Sequence, residues 1–278
     1  MKMKFLAIAL AGLSATTAVY AADAYQAEPQ PMPQYDAPEV EVQEASGWYL
    51  RGDLGYNFQK LRGAESFQGS NGNLVDFTTA SIKDSFSVGG GVGYQHNNYL
   101  RTDLTFDYMA KSDFRGSTTG SCGVALDCTS TDIAAMRAYT LMANAYVDLG
   151  SYAYFTPYVG GGVGGSYVKW DNLNNTSCET ADPTNCDPSE EHGGRGSWRF
   201  AYQLMAGASI DVTCNVKADV GYRFRHTLGG DMFGFQNGGG PGYDKGFYSH
   251  GLHAGARYVF GGCAEPVAYE PPQQLVYK

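Results

Sequence analysis

Beyond its first twenty residues the chain has no apolar run approaching the roughly 18 residues that a membrane-crossing helix needs. Charge is scarce as well: Asp, Glu, Lys and Arg make up 17 % of the chain, an unusual figure for a helix-rich cytosolic enzyme. There is no basic excess either. The formal net charge is −9, which argues against the basic face that a nucleic-acid partner requires. No C-x-x-C pair occurs and no histidine stands at ligand spacing from a cysteine, so no metal site is expected. What is abundant is glycine (37) and tyrosine (21), in stretches that alternate apolar with small or polar residues. Such stretches suit strands that form a wall between two different environments.

The first residues form an export address. Lys2 and Lys4 supply the positive end, Phe5 to Val19 the apolar core and Val19-Tyr20-Ala21 a small-x-Ala cleavage site, so residues 1–21 are assigned to a signal peptide. The mature chain then begins Ala22-Asp23. Residues 22–46 are rich in proline, glutamine and acid with no core-forming period, and are expected to be a periplasmic linker. In a polyproline-like state that segment spans on the order of 75 Å. Residues 261–278 form a second polar, proline-containing tail, also placed in the periplasm and too short for a further domain. Export makes the compartment oxidising, so the six cysteines are expected in disulfides. Cys122 and Cys128 can close one small loop and Cys178 and Cys186 another, which leaves Cys214 with Cys263.

Between Gly47 and Phe260 the alternation recurs. In GWYLRGDLGYNF, Trp48, Leu50, Leu54, Tyr56 and Phe58 share one side, while Tyr49, Arg51, Asp53 and Asn57 share the other. Eight such runs can be counted, separated by connections that go long, short, long, short, long, short, long. An even strand count with long loops at one end and tight turns at the other is the pattern of an outer-membrane barrel. The expected fold is therefore all-β, an eight-stranded antiparallel transmembrane β-barrel over residues 47–260, with long loops extracellular and both termini periplasmic. In that topology Cys214, in a tight turn before strand seven, and Cys263, just past strand eight, emerge at the same rim within disulfide reach. The last strand ends His253-x-Gly255-x-x-Tyr258-x-Phe260, which resembles the sorting signal on the final strand of bacterial outer-membrane barrels.

The inward sides carry both signs of charge: Arg51, Arg101, Arg199, Lys217, Arg223, Arg225 and Arg257 with Asp53, Asp103, Asp107, Asp211 and Asp219. Side chains just fill an eight-stranded interior, so these charges are expected to pair and close the lumen rather than line an ion or solute path. For catalysis, His226 and His250 fall near one another at the loop end with Ser249 alongside, as a lipid hydrolase would need. However, no glutamate lies in the inferred strands and no family motif surrounds Ser249, so no catalytic residue is assigned and interfacial histidines are expected. A binding alternative is haem capture. There His226 and His250 would ligate a porphyrin, and Met232, Phe233, Phe235 and Tyr243 would pack against it.

GWYLRGDLGYNF after a Pro-rich segment, RTDLTFDY in strand three and the terminal GARYVF resemble the small surface-antigen barrels of alphaproteobacteria, a porin family similar to the OmpA transmembrane domain. The resemblance covers about residues 47–260. It implies an abundant structural barrel, in contact with outer-membrane lipid, lipopolysaccharide and the barrel assembly machinery, with haemin binding known among some members. Barrels of this group are also similar to proteins joined to peptidoglycan through the mature N-terminus, and the matching feature here is Ala22-Asp23. The free α-amine of Ala22 would then be the acceptor for a separate L,D-transpeptidase. The functional expectation is a non-enzymatic barrel that supports envelope integrity, with a haemin or small-solute receptor as the alternative.

Overall fold

The computed structural model describes residues 47–68, 73–237 and 239–263. The export segment 1–21, the linker 22–46 with Ala22 and Asp23, and the tail beyond Cys263 lie outside the described residues. Every regular element among those described is a strand.

Eight long strands carry the fold: β1 Gly47–Leu61, β2 Ser85–Gln95, β3 Leu100–Ser117, β4 Cys128–Asp148, β5 Phe155–Trp170, β6 Gly196–Asp211, β7 Val216–Thr227 and β8 Phe247–Val259. Each is antiparallel to the strand before and after it, and β8 returns to β1 in register from Tyr49↔Val259 to Leu61↔Phe247, so the pairings form a ring. A ring leaves none of the eight as a free edge, which removes the template for further strand addition. The tight connections β2–β3, β4–β5 and β6–β7 gather at one end, here the turn end, and the long ones at the other, the loop end.

The two faces of the wall are chemically distinct. Outward positions are apolar yet open: Leu54, Phe86 and Trp198 are 67 %, 69 % and 67 % exposed. A water-soluble protein rarely exposes a continuous surface of this kind. Inward positions are mostly polar and buried, among them Arg51, Asp103, Asp107, Gln203 and Arg257. Glycines on the inner face provide room for the large inward side chains. A Cβ on Gly93 would fall 2.2 Å from the Tyr49 ring, and one on Gly162 would fall 2.0 Å from Asn144 Oδ1.

One strand changes phase. In β3 odd residues from Arg101 to Met109 point inward, and after a bulge between Met109 and Ser112 the even residues Ser112, Phe114 and Gly116 do. The extra residue turns Phe114 into the interior, where it is fully buried.

The loop end is also folded. Ala64–Gln68, Asn73–Asp76, Gly230–Phe233 and Gly239–Asp244 make a separate four-stranded sheet. Thr79–Ile82 extends the ring sheet along β3, and Leu173–Glu179 and Glu190–His192 extend it beyond β4. Under these pieces lies an apolar cluster of Leu61, Met109, Phe114, Met136, Trp170, Met232, Phe233 and Phe247, among others. The sequence pattern marks these segments only as loops, since strands of three to seven residues leave too short a period to detect.

The disulfides are Cys122–Cys128, Cys178–Cys186 and Cys214–Cys263. The first two staple the loop end. The third joins the β6–β7 turn to the chain just past β8 at the turn end.

Candidate functional site: a closed interior

The interior is filled in two layers. Nearer the turn end, Asp103 accepts hydrogen bonds from Arg51 Nη1 (2.8 Å), Tyr49 OH (3.1 Å) and Asn144 Nδ2 (2.7 Å). Arg51 also forks onto Asp53 through Nε (2.8 Å) and Nη2 (2.7 Å). Arg101 pairs with Asp148 at 3.1 Å and lies 4.2 and 4.5 Å from the centroids of the Tyr146 and Tyr158 rings. Arg257 donates to Asp219 from Nε at 2.6 Å and to Ser209 from Nη2 at 2.7 Å. Towards the loop end, Asp107 receives Arg223 (2.9 Å) and Arg225, and Gln203 links Arg225 to Asn144. The result is a network in which each charge sits against an opposite one, the arrangement that makes buried ions tolerable.

Above it sits the second layer, the apolar cluster. The small void between the two, lined by Asn57, Thr140, Ser166, Arg223 and Arg225 among others, measures about 10 Å³, too little for a file of water. Beyond the cluster, at the loop end, is a polar cavity of about 140 Å³ whose lining includes Ser66, Ser130, Asp132, Asn175 and His192. Asp132 there accepts from Ser130 Oγ and Asn175 Nδ2, each at 2.6 Å.

Several expected interior charges sit elsewhere. Arg199 faces inward but not into the main network: it grips Asp244 of the loop-end sheet through two 2.7 Å contacts from Nη1 and donates from Nη2 to the Asp231 carbonyl at 2.8 Å. Trp170 Nε1 and the Gly246 amide complete the donors to Asp244. The physical reason is length: β6 runs past the level of the polar network, so Arg199 reaches the sheet above. Lys217 and Asp211 pair with one another at 2.6 Å, about a third exposed at the turn-end rim. The buried contacts also take in partners that the sequence does not group with the interior charges: the inward but uncharged Tyr49, Asn144, Tyr146 and Gln203, and the acids Asp148 at the end of β4 and Asp244 outside the eight runs. An inward polar residue at the correct parity was the available signal for most of them.

The residues considered for haem do not share one pocket. His226 and His250 are on the outward face of β7 and β8. His226 lies among Tyr202 and Tyr248, while Tyr222 OH is 2.6 Å from His250 Nδ1. Met232 and Phe233 are in the apolar cluster, Phe235 is exposed and Tyr243 is half-buried. In the terminal motif His253 faces inward with Nε2 3.2 Å from Tyr158 OH, and Gly255 leaves room for Asp53. Tyr258 and Phe260 face outward with their rings 5.2 Å apart. Ser249 Oγ donates to Gln59 Oε1, not to a histidine.

A strand ring with an apolar exterior, a polar packed interior and folded loops at one end defines an outer-membrane β-barrel protein. The chain belongs to the outer membrane protein beta-barrel domain family, which it matches over residues 5–260. An uncharacterised protein of Brucella abortus is 36 % identical over 92 % of this chain and 98 % of its own length. A Rickettsia conorii protein whose name proposes an adhesin is 30 % identical over 76 % of this chain and 81 % of its own. Among solved structures, Neisserial surface protein A aligns with 78 % of this chain and 100 % of its own at 19 % identity, with a TM-score of 0.41. Family membership places the protein in the Gram-negative outer membrane.

Proposed function

We propose that the protein is an eight-stranded transmembrane barrel with a closed lumen, a structural and non-enzymatic component of the outer membrane. The turn end, with both flanking segments, faces the periplasm, and the folded loop end faces outside. The observation that carries this reading is the double closure of the interior, a salt-bridged polar layer beneath an apolar one. Water and small solutes would have to break both. A channel or porin role is therefore disfavoured, and single purified barrels in planar bilayers are expected to give no steady conductance. A stable, reproducible open level in the wild-type protein would overturn the closed-lumen reading.

Envelope support includes a second element, covalent attachment of Ala22 to peptidoglycan. Its support is the Ala22-Asp23 start followed by an extended linker of suitable reach. Mass analysis of the N-terminal peptide after muramidase digestion is expected to find a muropeptide on the Ala22 amine. Recovery of unmodified Ala22 alone from sacculus-bound protein would remove the attachment and leave the barrel role standing. The loop end, with two disulfides and its own sheet, offers an ordered outer surface, in keeping with the adhesin name given to the Rickettsia relative.

A further inference from the structure

Outward-facing cations are distributed very unevenly on this barrel. Among the described residues, Lys60 and Arg62 at the end of β1, Lys83 just before β2, Lys111 on β3, Arg137 on β4 and Lys169 on β5 lie towards the loop end. The outward face towards the turn end has none, since Arg51, Arg101, Lys217, Arg223, Arg225 and Arg257 occupy inward positions.

The densest part of this collar spans three adjacent strands. Arg137 and Lys169 are direct cross-strand partners, so two like charges face each other. That arrangement is destabilising unless an anion lies between or over them. The acid that pairs here is Asp171, which receives Lys111 at 2.9 Å and Arg137 Nη2 at 2.7 Å, while nearby Asp113 is taken by Lys83. Partial burial opposes its ionisation, but those two cations prevail and hold the carboxyl below its usual range. Three cations and one carboxylate leave two positive charges over. Arg137 Nε is also shielded from water with no hydrogen-bond partner.

Two residues further along each strand, Tyr139 and Tyr167 are again cross-strand partners. Tyr108 packs on the former with ring centroids 5.2 Å apart, and Trp198 on the latter at 5.5 Å. Below these come the exposed aliphatic and aromatic residues Leu104, Phe106, Leu141 and Val163. Aromatic rings of this kind settle at the membrane–water interface, so the cations stand at headgroup height with acyl-chain surface directly beneath.

We propose that Lys111, Arg137 and Lys169 form a clamp for a phosphate group of a phosphorylated glycolipid in the outer leaflet. The proposal rests on the transmembrane orientation given above. Phosphate suits the site because a guanidinium fork and two ammonium groups match its several oxygens. A lipid source is favoured over free phosphate because the apolar wall continues without a break beneath the cations.

The test uses the full-length protein, purified in detergent, and lipid A in mixed micelles, with and without its phosphates. Wild-type protein is expected to bind phosphorylated lipid A at least tenfold more tightly than the dephosphorylated form. The triple variant Lys111→Gln, Arg137→Gln, Lys169→Gln is expected to lose that preference while keeping heat-modifiable gel mobility. Asp171→Asn, which removes the competing carboxylate, is expected to tighten binding several-fold, so a second result survives if the triple variant does not fold. Equal binding of both lipids by the wild type, a preference retained in the folded triple variant, weaker binding by Asp171→Asn, or full displacement by an equal concentration of inorganic pyrophosphate would each overturn the clamp. If instead an epitope inserted at the loop end is not reached by antibody on intact cells, the orientation itself is wrong, a separate failure from loss of the phosphate preference.

Discussion

Replacing Asp107 by alanine is expected to lower the unfolding free energy of the barrel by about 3–5 kcal/mol. Asp107 is 4 % exposed and is the shared carboxylate for Arg223 and Arg225. Without it Arg225 keeps Gln203, a neutral acceptor, and Arg223 loses its ion-pair partner in the interior. A buried guanidinium without a counter-charge is among the costlier states a fold can contain. The measurement is the urea midpoint of the folded form in detergent, followed by gel mobility. A companion variant with Asp107→Leu, Arg223→Met and Arg225→Met removes all three charges together and is expected to lose much less, because no ion is left unpaired. If Asp107→Ala costs under about 1 kcal/mol, the interior is wetter than its geometry indicates.

Asp244→Ala is expected to have an effect of similar size but confined to the loop end. Asp244 is 3 % exposed and gathers Arg199, Trp170 Nε1 and the Gly246 amide, binding the four-stranded loop sheet to β5 and β6. Its loss strands Arg199 against the Asp231 carbonyl and the Ser197 hydroxyl. The cost, again about 3–5 kcal/mol, falls on the attachment of the sheet and not on the ring ladders. Hydrogen exchange should show faster opening at the amides of residues 64–68 and 239–244, while those of β1, β7 and β8 stay protected. Uniform loss of protection across both regions would mean that the sheet and the ring unfold as one unit.

The ring was legible in the sequence because its period is strict and because outward and inward positions differ in kind. Trp48, Leu50 and Leu54 against Arg51 and Asp53 already state which side meets water-poor surroundings. Cys214 and Cys263 were legible through topology, as an odd number of strands between them would have set them at opposite ends. The loop-end sheet was not legible. Its strands are short, and the pairing that joins its two local hairpins spans a long sequence gap, as Glu65 with Tyr243 does. The register shift after Met109 was hidden too, since Ala110-Lys111-Ser112 carries no glycine or proline to mark a bulge. The interior charges were identified from parity alone, but parity fixes direction and not height. That is why Arg199 was grouped with residues lying well below it, and why the apolar layer, built from Phe114, Trp170 and Met232, went unseen.

The Cys214–Cys263 link bears on how the molecule would carry mechanical load. A pull on the chain beyond Cys263 would otherwise act first on the terminal rungs where β8 meets β1 and β7, and such ladders peel one rung at a time. With the disulfide in place, the pull enters the ring at the β6–β7 turn as well, and strand eight is relieved of acting as a ripcord. Tension arriving through residues 22–46, by contrast, reaches β1 at Gly47 with no comparable brace among the described residues. The two flanking segments are therefore unequal as handles. A wall attached at Ala22 would draw on the ring's side-by-side hydrogen bonds, while the other end is covalently buttressed.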